Sequence, residues 1–387
     1  MAWNWQLPEW PEFEWDPERL TRAEERFLLY FGQIRGITKH LGGPDGQQIL
    51  VEAISTEALT TSEIEGEVLD RASVQSSIRK HLGLKADKHR PKPAEEGVAE
   101  MTVDLYRTFS EPLTKETLFR WHGMLMKGRR DILRVGQYRN SREPMEIVSG
   151  AIYAPKVHFE APPSSSVPKE MKEFVAWFNR TAPGGAAPLP ALTRAGLAHI
   201  YFESIHPFED GNGRIGRALS EKALSQAVEQ PSLTALAATI LVRRKAYYKA
   251  LEYANKRSDV TEWLAWFAGT VLEAQIRTET RIEFVLGKSR LLEKAERVGV
   301  NDRQKKAIAR ILKEGPDGFQ GGLSAGNYAS ITGASPATTT RDLVELVEHG
   351  LLRREGERRH ARYFLTIPTR EIPLVAVAGS GEIREAA

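Results

Sequence analysis

The sequence predicts a mainly α-helical protein: a helical core carrying a β-hairpin flap, a helical N-terminal extension and a C-terminal winged helix-turn-helix. Three observations carry this. Apolar residues recur at helical spacing over most of the chain. Residues 136–163 switch to β-type residues with Gly and Pro at the bends. Residues 298–370 read as three short helices followed by a basic hairpin.

In chain order, the first fifteen residues hold Trp3, Trp5, Trp10 and Trp15, broken by prolines. This predicts an irregular arm that packs on the body as a hydrophobic clasp. Leu20, Phe27, Leu28 and Phe31, then Ile49, Val51, Ala53, Ile54 and Leu59, carry a helical pattern from Pro17 to about Leu82. The basic, Pro-bearing "RKHLGLKADKHRPKP" (79–93) reads as a loop. Helices are expected at Ala94–Ser110 and Thr114–Lys127, then the hairpin flap and an extended arm. A helix over "VPKEMKEFVAWFNR" and a loop (181–190) precede "LTRAGLAHIYFESI" (192–205), whose Leu197, Ile200, Tyr201 and Ile205 form an apolar stripe. Three or more helices are expected to follow, to about Arg281 and beyond. Further on, "NDRQKKAIARILKEG", "SAGNYASITG" and "SPATTTRDLVELVEHG" are the three short helices, the last capped by Ser335 with Pro336 in its first turn. The predicted organisation is an N-terminal extension (1–95), a core (96–285), a winged-helix domain (298–370) and a flexible tail (371–387).

A formal charge of +3 gives no chain-wide attraction for nucleic acid or anionic membrane. The absence of cysteine excludes disulfides, cysteine nucleophiles and Cys-ligated zinc. The Trp-rich start lacks a basic region followed by an apolar run, and no stretch approaches the ~20 apolar residues of a membrane span. A soluble cytoplasmic protein without membrane contact is the expectation.

The chemistry concentrates in "HPFEDGNGRIGR", residues 206–217. A buried helix delivers the chain to His206. Gly211 and Gly213 free the backbone to turn, and a new helix starts near Arg214. A glycine-rich turn feeding a helix N-terminus favours phosphate, because unpaired N–H groups and the helix dipole both point there. Arg214 and Arg217, three apart, share one helix face and suit more than one phosphate. Asp210 is placed as a Mg²⁺ ligand, since Mg²⁺ takes few protein carboxylates and shares phosphate oxygens. His206 can take a proton from a hydroxyl near neutral pH. Asn212 can donate to a phosphate oxygen, and Glu209 is expected to face solvent. A plain interhelical turn with an incidental His would require none of this ordered set.

These residues resemble the signature of the Fic family, H-[PF]-F-x-[DE]-G-N-G-R-x-x-R, at every position. The resemblance, from about Leu113 to Ala268, implies a transferase that moves AMP from ATP to a Ser, Thr or Tyr hydroxyl of a target protein. It implies His206 as base, Asp210 as Mg²⁺ ligand, Gly211, Asn212, Gly213 and Arg214 around the phosphates, and Arg217 on the γ-phosphate. "EIVSG" and "HFEAPP" look like the family's flap, which would bind the target along about 147–160, with Ser149 and Gly150 near the nucleotide. "YYKALEYAN" looks like the segment contacting base and ribose, through Tyr247 and Asn255; "GQYR" and "TEWLAWF" also fit. "TSEIEG" (61–66) resembles the family's inhibitory motif, which implies Thr61, Glu65 and Gly66, with Glu65 competing for Arg217 against the γ-phosphate. Such a glutamate also permits removal of AMP from a modified protein.

Three other functions fit parts of the sequence. A DNA-binding regulator with an accessory domain of this type would use Arg341 on the expected recognition helix and Arg353, Arg354, Arg358, Arg359 and Arg362 in the wing. Relatives also move UMP, phosphocholine or phosphate, and some are toxins with a separate antitoxin, which the internal brake argues against here. Similar proteins also make a homodimer a candidate partner state.

Overall fold

The computed structural model describes residues 2–38, 44–86, 90–151, 154–313, 315, 321–368 and 371–386. The tip of the flap at 152–153 and part of the basic loop, 87–89, lie outside them. The chain divides into two compact units: residues 1–40, 50–278 and 372–387 form the first, and residues 41–49 and 279–371 the second.

In the first unit, α1 (Thr21–Thr38), α2 (Pro44–Ile64), α3 (Arg71–His81), α4 (Pro93–Arg107) and α5 (Lys115–Leu125) precede the hairpin β1 (Glu146–Ala151) and β2 (Ala154–Glu160). Then come α6 (Val167–Arg180), α7 (Ala191–Ile205), α8 (Asn212–Ala227), α9 (Leu236–Val242) and α10 (Arg244–Ala254). Short polar side chains set several starts. Asp70 accepts from the Ser73 N–H at 2.8 Å and Thr114 from the Thr117 N–H at 3.1 Å. α6 buries Val167, Met171, Phe174 and Phe178, a stripe with helical period. α7 is buried at all fifteen positions, so its apolar character reaches all round and no solvent face remains. It packs along α8, which makes the α7–α8 pair the spine of the unit.

The Trp-rich arm lies on this spine. The Trp5 indole N–H donates to the Glu160 carbonyl at 2.7 Å, and the Trp10 N–H donates to Glu170 at 2.9 Å. Trp10 also meets Tyr201 edge-on, with centroids 5.2 Å apart.

The helix α11 is continuous from Thr261 to Val298, beyond the expected end of the core at 285. One expectation is corrected. Residues 371–387 are not a flexible tail. They form an antiparallel hairpin, β5 (Leu374–Val377) with β6 (Ile383–Ala386). The alternation of "LVAV" puts Val375 (1 % exposed) and Val377 into the core of the first unit. The Val375 carbonyl accepts from Arg243 at 3.4 Å, and the Arg19 guanidinium donates to the Ala378 carbonyl at 3.1 Å.

The second unit has its own core of Phe284, Leu291, Ile308, Tyr328, Leu343 and Leu346. It carries α12 (Asp302–Lys313), α13 (Ala325–Thr332) and α14 (Pro336–Glu348), then β3 (Leu352–Glu355) paired antiparallel with β4 (Arg362–Leu365). Leu323 bridges to Tyr363 of β4. Buried Asp342 ties the helices, accepting from Arg303 at 2.8 Å and from the Tyr328 hydroxyl at 2.9 Å. No helix among the described residues is long and apolar enough to cross a membrane.

Candidate active site

The α7–α8 turn is built by strain and bracing. His206 closes α7 in the left-handed region at φ 48°, unusual for a residue with a side chain. Arg139 holds it there. Its guanidinium donates to the His206 carbonyl at 2.7 Å, the Pro162 carbonyl at 2.6 Å and the Ser164 hydroxyl at 2.9 Å. Its own N–H donates to the Pro207 carbonyl at 2.9 Å. Burial alone lowers the Arg139 pKa, to about 10, which leaves it charged at neutral pH. Phe208, fully buried, stacks on His122 with centroids 4.2 Å apart. The Asn212 amide accepts from the Phe208 N–H and donates to the Phe208 carbonyl, both at 2.9 Å. Expected to reach a phosphate, the Asn212 side chain therefore braces the turn, and its backbone N–H remains at the helix start. Glu209, expected in solvent, accepts from the Leu133 N–H at 2.8 Å.

Gly211 is the N-cap of α8 at φ 82°, and no side chain caps the helix. A helix start without a side-chain cap favours an anion. A carboxylate lies beside it: a Cβ on Gly213 would lie 2.4 Å from Glu65 Oε1. That carboxylate comes from the end of α2, which stops because Gly66 turns left-handed at φ 86°.

Every charged side chain of the 210–217 segment is already paired. Arg217, buried, donates through Nε to the Thr61 hydroxyl at 2.8 Å, and through Nη2 to the Thr61 carbonyl at 3.0 Å and to Glu65 at 2.6 Å. Burial pulls its pKa down, but Glu65, Tyr247 and Glu203 together outweigh burial and hold it above its ordinary value. Arg214, also buried, pairs with Glu67 at 3.0 Å. Asp210, half-exposed, accepts from Arg129 at 2.8 Å and lies 3.5 Å from Arg214. Among the described residues there is no cluster of three metal-ligating side chains. A half-exposed carboxylate such as Asp210, next to a helix start, is the kind of donor that Mg²⁺ uses when phosphates complete its shell.

The expected base- and ribose-contacting residues are held by bonds within the chain. Tyr247 is buried, and its hydroxyl bonds His199 Nε2 at 2.9 Å. Asn255 is buried too; its carbonyl accepts from the Asn4 N–H at 2.7 Å, within the N-terminal clasp. Helical period turns Tyr248, 42 % exposed, outward where it turns Tyr247 inward; Tyr253 is the other open aromatic of α10. On the flap, the Ser149 hydroxyl bonds His158 Nε2 at 2.6 Å, and His158 Nδ1 lies 3.2 Å from Glu252 of α10. Gly150 pairs with Pro155 in the hairpin register.

Sequence reasoning missed Glu67, Arg129 and Arg139. Glu67 follows the inhibitory motif by one residue, and Arg139 lies inside "GQYR". Arg129 carried no spacing signal.

The chain is similar to several known proteins. Residues 112–224 match the model of the Fic/DOC family, and residues 3–84 match a domain of unknown function, DUF4172. A probable protein adenylyltransferase of Aquifex aeolicus is 25% identical over 197 residues, 47% of this chain and 55% of that protein. The chain thus spans about half the length of that curated relative. A Fic family protein from Desulfovibrio desulfuricans superposes with a TM-score of 0.54 at 21% identity, covering 93% of this chain and 99% of that one. A Fic domain containing signaling protein from Bacteroides thetaiotaomicron gives 0.51 at 17% identity, covering 68% and 97%. With its mainly helical fold, the flap and the turn at His206, the chain carries a domain of the Fic/DOC family.

Proposed function

We propose that the protein transfers AMP from ATP to a Ser, Thr or Tyr hydroxyl of a target protein, and that Glu65 restrains it. The observation that carries this reading is the pairing of Glu65 with Arg217 over the uncapped N-terminus of α8. The chain's own carboxylate takes the arginine that the γ-phosphate would use.

His206 Nε2 takes the proton as the hydroxyl oxygen bonds to the α-phosphorus, and pyrophosphate leaves. The α8 N–H groups and Arg214 balance phosphate charge, and Arg217 orients the γ-phosphate. Asp210 would hold Mg²⁺, which supplies further neutralisation when bound. The target lies along the flap at 147–160, where β1 and β2 expose Ile147, Val148 and Val157. Glu65 acts by competition: while it holds Arg217, the γ-phosphate lacks its partner and ATP is bound in a pose unsuited to in-line attack.

The test is transfer of label from α-³²P-ATP. Glu65→Gly is expected to raise self-labelling at least tenfold over wild type, and His206→Ala in that background to abolish it while ATP still binds. Equal labelling of wild type and Glu65→Gly would overturn the restraint. Label retained by His206→Ala would overturn the base assignment.

A second reading concerns residues 279–371. Arg341, Arg353, Arg354 and Arg358 are exposed, with Arg362 half-buried; the side chain of Arg359 lies outside the described residues. As a winged helix this unit would grip duplex phosphates. Absence of a gel shift with random duplex at low salt would remove that reading.

A further inference from the structure

One turn before His206, on α7, lies a carboxylate without an evident structural task. Glu203 is 7 % exposed, and its Oε1 is buried with no hydrogen-bond partner. Its Oε2 is 3.6 Å from His206 Nδ1, too far for a hydrogen bond. Nδ1 is likewise buried and without a partner. One oxygen of the carboxylate is thus buried without a partner while the other faces an orphaned ring nitrogen, a costly arrangement to maintain for packing alone.

The carboxylate is also confined. On α8, a Cβ at Gly216 would come 2.6 Å from Oε1. The titratable and charged groups around it are His206 and His199 on α7, Arg217 on α8 and Tyr247 on α10. His199 cannot serve it, because its two nitrogens bond Ser220 and Tyr247; Arg217 bonds Thr61 and Glu65 through Nε and Nη2, and its buried Nη1 makes no hydrogen bond to Glu203. Burial acts to raise the Glu203 pKa, but His206, His199 and Arg217 outweigh it, so the group stays an anion.

We propose that Glu203 is the positioning residue of the base: by closing on His206 Nδ1–H it fixes the tautomer that leaves Nε2 free. This rests on the transfer reading above. In the step, the substrate oxygen–phosphorus bond forms, the bond to the pyrophosphate oxygen breaks, and the hydroxyl proton passes to His206 Nε2. Glu203 takes no proton. It stabilises the imidazolium that the step creates, as a carboxylate behind a catalytic histidine does elsewhere.

The test uses the full chain carrying Glu65→Gly. Glu203→Gln is expected to keep ATP affinity within about twofold and to lower kcat roughly 10- to 100-fold, with Glu203→Asp recovering part of the loss. Without the anion the imidazolium is less stable, so the acidic limb of the kcat–pH profile moves to lower pH. An unchanged kcat, or a fall with an unmoved limb, would overturn the proposal. A second readout needs no transfer. In ¹⁵N spectra of histidine-labelled chain, with His206 assigned through His206→Ala, the Nδ1–H tautomer is expected to dominate and to be lost in Glu203→Gln. The same tautomer in both would also overturn it. If Glu65→Gly shows no transfer at all, the reading of the reaction fails, and the tautomer measurement still decides the role of Glu203.

Discussion

At the scale of single residues, two half-exposed acidic side chains face two buried arginines. Glu65 holds Arg217 at 2.6 Å beside Gly213, whereas Glu67 holds Arg214 at 3.0 Å. Solvent screening weakens both pairs, and Glu67→Gln leaves the Glu65 carboxylate in place. Glu67→Gln alone is therefore expected to raise transfer only about two- to fivefold, less than Glu65→Gly, in the same labelled-ATP assay. Gly213 gives a sharper separation. The methyl of Gly213→Ala would displace the Glu65 carboxylate, but it would also fill the space that a phosphate needs. The variant is expected to lose ATP affinity at least tenfold in calorimetry and to stay inactive even in the Glu65→Gly background. The signature residues were readable because each is a type that phosphate chemistry demands at a fixed spacing. The partners of those residues were less so: Arg129 reaches Asp210 from 81 positions away, a relation that no local pattern encodes.

At the scale of elements, caps and periodicity made most helices legible. Ser335 and Pro336 do start α14, and Gly333 ends α13 in the left-handed region. The failures have physical causes. Tyr247 and Tyr248 are adjacent aromatics, and the sequence does not show which one the helix turns inward. The terminal hairpin is short, and its "AGSG" turn resembles a frayed end; only the alternation of Val375 and Val377 betrayed it. Because Val375 lies in the core, Val375→Ala is expected to cost about 1–2 kcal/mol in urea unfolding. Gly269→Ala should also loosen this hairpin, since its Cβ would come 2.7 Å from the Val375 carbonyl. Either variant behaving as wild type would show that the hairpin contributes little.

At the scale of the molecule, two buried histidines set an acid limit. Desolvation lowers the pKa of both His122 and His199 to about 4, from an ordinary value of 6.5. The unfolded chain takes up these protons below pH 6.5 and the folded chain does not, so stability is fully present above that pH. It is expected to fall by about 1.4 kcal/mol per pH unit for each histidine, from pH 6.5 toward 4. Urea midpoints across this window check the slope, which His122→Gln should roughly halve. The path of the chain has a further consequence. The first unit is left at Thr278 and re-entered at Ile372, so its core is finished by residues that follow the whole second unit. During synthesis, the ribosome must deliver the second unit before the first can close over Val375. The catalytic unit would wait, incomplete and open to chaperones or proteases, for the time needed to translate 93 intervening residues, Glu279 to Glu371.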